Sequence, residues 1–99
     1  MTLGVVLRPR ARSDLSDIWD YTATAWSPDQ ANTYLRALNR TFEVLADFPE
    51  IARLRTEFEP PVRIHRFRSH VIIYQSGPQV LDVIRVVHAK ANWAGFLSE

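Results

Sequence analysis

The chain has 99 residues, a net charge of +1, 46% hydrophobic and 23% charged residues. That content fits a single folded domain over residues 1–99, burying roughly 65% of its unfolded surface, and argues against disorder. Cysteine is absent, which excludes disulfides, thiolate metal sites and a cysteine nucleophile, and no apolar run approaches the ~20 residues that span a bilayer.

The N-terminus has no apolar segment of the signal-peptide kind, so a cytoplasmic protein is expected. Charge is distributed unevenly. Residues 1–50 carry five arginines against seven acids, and residues 51–99 carry seven basic residues against four acids. Lys90 is the only lysine, and arginine favours flat, bidentate contacts to carboxylate or phosphate. A surplus this small fits an acidic protein partner as well as it fits nucleic acid.

Leu3 to Leu7 is short, apolar and β-prone, and reads as a first strand closed by Arg8-Pro9. From Pro9 the period changes. Ala11, Leu15, Ile18, Thr22 and Trp26 form one helical stripe, with Trp19 and Tyr21 beside it and Asp14, Asp17 and Asp20 on the expected solvent side. Ser27-Pro28-Asp29-Gln30 is a helix start: a capping serine, proline at the first helical position, and Gln30 as the capping-box partner. The second stripe is Ala31, Leu35, Leu38, Phe42 and Leu45, with Tyr34 beside it and Phe48-Pro49 as the stop. So short a link between two helices implies an antiparallel αα-hairpin.

Residues 51–61 read as a loop of mixed charge, stiffened by Pro60-Pro61. Strands are expected over 62–67, 70–75 and 80–88, joined at Arg68-Ser69 and at 76–79 as an antiparallel meander. The last strand is the longest β-branched run and apolar on both faces, so it belongs inside the sheet. Alternation puts Leu81, Val83, Arg85 and Val87 on one face, and His88 on the other unless a bulge intervenes. In the tail, Trp93, Phe96 and Leu97 are expected to pack back on the body. The predicted architecture is α+β, in the order β-α-α-β-β-β: an antiparallel sheet with the αα-hairpin on one face.

No Ser–His–Asp spacing, HExxH, phosphate loop or zinc pattern occurs, so no cofactor or metal is expected. What remains is a basic set on the meander: Arg63, His65, Arg66, Arg68, Arg85, His88 and Lys90. Metal-free RNA cleavage needs a base, an acid and cations for phosphorane charge; His88 or His65 could serve as the base, and Arg63 and Arg85 as the cations. A guanidinium among valines, as at Arg85, needs a buried acid or an open, wet surface.

The segments ARSDLSDIWDYTA, WSPDQA, FPEIARLRTEF and VRIHRFRSHVIIYQ…VLDVIRVVHAKANW, in this order and spacing over about residues 7–93, resemble the ParE branch of the RelE/ParE toxin superfamily. The resemblance implies a RelE/ParE-like fold, the toxin half of a bacterial toxin–antitoxin pair, and a hetero-oligomer with a ParD-like antitoxin. ParE-type toxins are known for poisoning DNA gyrase. The RelE branch cleaves messenger RNA on the ribosome and usually keeps a tyrosine or histidine near the C-terminus. Here His88 is followed by Ala-Lys-Ala-Asn-Trp, without a tyrosine. The expected activity is therefore binding, with gyrase as the target and RNA cleavage as the alternative. An antitoxin helix is expected along the hairpin, meeting Leu15, Ile18, Trp19, Trp26, Tyr34 and Leu38, with its acids on Arg63 and Arg85.

Overall fold

The computed structural model describes residues 3–92 and 95. In chain order the elements are β1 (Gly4–Leu7), α1 (Pro9–Ala25), α2 (Pro28–Asp47), a 3-10 turn (Pro49–Ile51), β2 (Leu54–Arg55), β3 (Val62–Phe67), β4 (His70–Ser76) and β5 (Val80–His88). The expectation for Trp93, Phe96 and Leu97 falls outside the described residues.

One five-stranded sheet has the order β1-β5-β4-β3-β2. β5 thus has a neighbour on each side, as its two apolar faces require. The meander β3-β4-β5 is antiparallel throughout, whereas β1 pairs parallel to β5, from Gly4↔Val80 to Leu7↔Val83. The sheet is therefore mixed, where an antiparallel one was predicted. No tight turn joins β1 to β5; the helical hairpin and the meander lie between them and free β1 to run parallel. The segment read as a loop contributes β2, two residues that pair with Val62 and Arg63. So short a strand has no readable alternation and exists only through its ladder to β3.

The helix starts follow from local chemistry. Ser27 Oγ accepts a hydrogen bond from the Gln30 backbone N–H at 3.0 Å, and Pro28 sits where its missing N–H is no loss. Among the described residues no reciprocal bond from the Gln30 side chain to Ser27 is found, and that side chain lines a groove. The hairpin covers one sheet face. There Ala11, Ile18, Leu38, Phe42 and Leu45 pack on Ile72, Tyr74, Leu81, Val83 and Val86. The opposite face has its own small cluster of Val62, Val71, Ile73 and Val87.

β5 departs from regular alternation at one point. Ile73 pairs with Arg85 but Tyr74 pairs with Val83, so Ile84 is an extra residue in the ladder. Beyond this bulge the faces exchange. Val86 joins Leu81 and Val83 under the helices, and Val87 joins the opposite cluster, which reverses the parity predicted for both.

Asp14 also departs from expectation. It is not on a solvated face: its carboxylate accepts from Arg85 Nε at 2.7 Å, Arg85 Nη2 at 2.9 Å and the Val86 backbone N–H at 3.0 Å. α1 is thereby pinned to β5 just past the bulge. A partner 71 residues away in sequence leaves no trace in helical periodicity.

Candidate functional site

A groove of about 780 Å³ runs between the hairpin and the end of the sheet. α1 supplies Asp17, Ile18 and Tyr21 to its wall, and the start of α2 supplies Gln30 and Tyr34. Ser69 and His70 at the β3–β4 turn and His88 at the end of β5 line it from the sheet side.

One half of the groove is aromatic. Tyr21 is 73% exposed and Trp26 is 75% exposed, the two most open large side chains among the described apolar residues. Trp26 continues the helical stripe in sequence but not in space. It is the C-cap of α1, with φ −125° and ψ −84°, so the chain leaves the helix there and the indole turns outward. Ile18, 8% exposed, forms the floor between core and groove.

The other half is polar. Tyr34 Oη lies 2.7 Å from His70 Nδ1. His70 and His88 are directly paired across β4 and β5, with ring centroids 5.5 Å apart and planes at 70°. Burial, the neighbouring His88 and, in opposition, Asp14 set the His70 pKa below its ordinary value. Burial raises the Tyr34 pKa against the pull of Arg68. The Arg68 guanidinium lies 5.5 Å from the Tyr34 ring centroid and 5.1 Å from that of Phe67. Arg68 itself has φ 52°, the left-handed conformation that closes this two-residue turn.

The residues expected to meet an antitoxin separate into three groups. Ile18, Trp26 and Tyr34 line the groove. Leu38, fully buried, and Leu15, packed against it, belong to the core because the hairpin turns both toward the sheet. Trp19 is half-buried and donates from Nε1 to Asn32 Oδ1 at 2.9 Å, bracing the two helices. Arg85, with its side chain 14% exposed, is engaged by Asp14 and does not offer an open cation. Arg63 donates from Nη1 to the Ala52 carbonyl at 2.7 Å and lines a separate cleft of about 400 Å³ with Leu54, Gln75 and Asp82.

The candidate nuclease set does not converge. Arg63 lies four residues along β3 from Phe67, which pairs with His70 and thereby with His88, a separation of about 13 Å by strand rise. Arg85 is already paired, so His88 meets neither arginine as a free group. Among the described residues, no three His, Cys, Asp or Glu side chains gather as a metal site. No described helix is long and apolar enough to cross a membrane. Sequence reasoning did not name His70 or Gln30 for this groove, and noted Tyr21 only within the aromatic excess of the helices. For His70 a signal existed: the two-residue turn at Arg68-Ser69 places it at the start of β4, opposite the end of β5.

Comparison with known proteins agrees with this architecture. The family model described as "ParE toxin of type II toxin-antitoxin system, parDE" matches residues 5–93. Toxin ParE1 of Mycobacterium tuberculosis is 36% identical over 93 residues, covering 93% of this chain and 95% of its own length. Toxin ParE1 of Caulobacter vibrioides is 36% identical over 86 residues, covering 87% of this chain and 88% of its own. A solved structure titled "Chromosomal ParDE TA system from P. aeruginosa" superposes with a TM-score of 0.74 at 15% identity, covering 90% of this chain and 98% of that one, which supports the fold. With a hairpin-on-sheet fold, a family match over nearly its whole length and two full-length relatives, this chain belongs to the ParE toxins of type II toxin–antitoxin systems.

Proposed function

We propose that this toxin acts by binding DNA gyrase, without bond-making chemistry of its own, and that a ParD-like antitoxin neutralises it by folding into the groove beside the helical hairpin. The observation that carries the docking half is the pair of exposed aromatics, Tyr21 and Trp26, in an open groove of about 780 Å³. Large aromatics left open in a concave surface are the usual anchors of an interface, and an amphipathic helix laid in a groove is one standard way to cover them. The gyrase half rests on the resemblance to the ParE branch. The dispersal of Arg63, Arg85 and His88 favours a binding mode over RNA cleavage.

Three experiments test this. Purified toxin added to gyrase and relaxed plasmid is expected to block supercoiling, and the product of the adjacent reading frame is expected to restore it. Cleavage of ribosome-bound message, lost in His88→Ala and Arg85→Ala, would overturn the binding-only mode. An adjacent product that forms no complex with the toxin would overturn the docking half.

A further inference from the structure

The polar end of the groove has a definite proton arrangement. A backbone N–H can only donate, and the Lys90 N–H points at His88 Nδ1 from 3.1 Å. That nitrogen therefore holds the lone pair, and the proton of neutral His88 sits on Nε2. At His70 the neighbour is a phenol, 2.7 Å from Nδ1. A phenol can donate or accept; the Ser69 backbone hydrogen bond that the Tyr34 oxygen already accepts favours it as the donor to Nδ1, which places the proton of neutral His70 on Nε2 as well. Neither Nε2 has a hydrogen-bond partner among the described residues. Two imidazoles set edge to face thus bring two unspent N–H donors to the polar half of the groove.

We propose that the Nε2–H groups of His70 and His88 form an anion-binding subsite that takes one carboxylate side chain of the docking antitoxin. This deepens the groove-docking reading and rests on it. The surrounding charges define the ligand. Arg68 lies over the ring of Tyr34, the hydrogen-bond partner of His70, and Lys90 follows His88 by two residues, so the nearby sequence is basic. Asp14 and Asp17 face the groove from α1, and Tyr34 faces it from α2. Asp14 is occupied by Arg85, but Asp17 sits along the path of any ligand that continues toward Trp26. A polyanion such as RNA would carry its next phosphates past that carboxylate. A peptide with one acid and an apolar stripe puts its charge on the imidazoles and its apolar side chains on Ile18, Tyr21 and Trp26.

A bound carboxylate favours the charged imidazole, so the complex takes up protons as it forms. Affinity should therefore rise as pH falls from 8 to 6. The lowered pKa of the free His70 agrees with this, because it leaves that ring neutral and ready to be charged on binding.

The test uses the purified complex of this toxin with the product of the adjacent reading frame. The dissociation constant is expected to fall about three- to tenfold from pH 8 to pH 6, and the slope to flatten in His70→Gln/His88→Gln. Histidine nitrogen NMR supplies a readout independent of any variant. Both rings should show the Nε2–H tautomer in free toxin, and at least one should become imidazolium at neutral pH in the complex. A pH-independent affinity, an Nδ1–H tautomer at either ring, or rings unchanged on binding would overturn the subsite while leaving groove docking intact. Binding of a single-stranded RNA oligonucleotide that is lost in His88→Gln would assign the rings to phosphate and overturn it as well. Absence of any complex would instead overturn the docking reading beneath it.

Discussion

Replacing Asp14 by alanine should cost more than any other single change on the surface of α1. The substitution removes an acceptor that holds Arg85 at 2.7 and 2.9 Å and the Val86 N–H at 3.0 Å. The Arg85 side chain, 14% exposed beside Asp14, then loses that acceptor in a site too enclosed for full hydration. Breaking one side of a buried ion pair costs about 3–5 kcal/mol, and partial water access reduces this to about 2–4 kcal/mol here. For a domain of this size that is a fall in Tm on the order of 10–20 °C. The measurement is urea denaturation followed by tryptophan fluorescence and far-UV circular dichroism. Asp14→Asn retains an acceptor for Val86 and should lose about half as much. Asp14→Leu/Arg85→Met removes both charges together and should return to within about 1 kcal/mol of the parent. A loss below about 0.5 kcal/mol in Asp14→Ala, or no recovery in the double variant, would refute the pair as the pin between α1 and β5.

Ser27→Ala should cost about 1 kcal/mol, read as a shift in the urea midpoint, because the Gln30 N–H loses its cap. Leu38→Ala, at a fully buried site, should cost about 2–5 kcal/mol in the same assay. Trp26→Ala and Tyr21→Ala should leave stability within about 0.5 kcal/mol, since both side chains are exposed, yet weaken the antitoxin complex by more than about 1 kcal/mol in calorimetric titration. The depressed His70 pKa makes the unfolded state the stronger proton binder, so its contribution to stability is full above the ordinary histidine value and is lost as pH falls through the folded one. His70→Gln should flatten that part of the acid-side stability profile, measured by urea midpoints at a series of pH values.

Helices and meander were legible because each carries a long apolar pattern of one period. Ala31, Leu38, Phe42 and Leu45 are spaced for one face and lie on it. Ser27 capped its helix because that interaction is local. The parts that escaped are non-local. β2 is two residues whose only support is another strand. Asp14 looked like one of three equivalent helix acids until β5 supplied its partner. Trp26 kept the helical spacing while the backbone had already left the helix. The turn at Arg68-Ser69 marks His70 as the start of β4, but its pairing with His88 needed the register of two strands and the bulge between them, which no local pattern carries.

That register depends on Ile84. Counting back regularly from Ser76↔Leu81, His70 would face Val87; with the inserted residue it faces His88. Whether Ile84 is looped out of the ladder or paired within it therefore decides whether a second imidazole or a valine stands next to the first. Excising Ile84 would leave His88 opposite His70, but drawing it into the ladder would straighten the ribbon, turn Val86 out of the core and send His88 to the far side of the sheet. The toxin would keep every side chain named at its site and lose their meeting place.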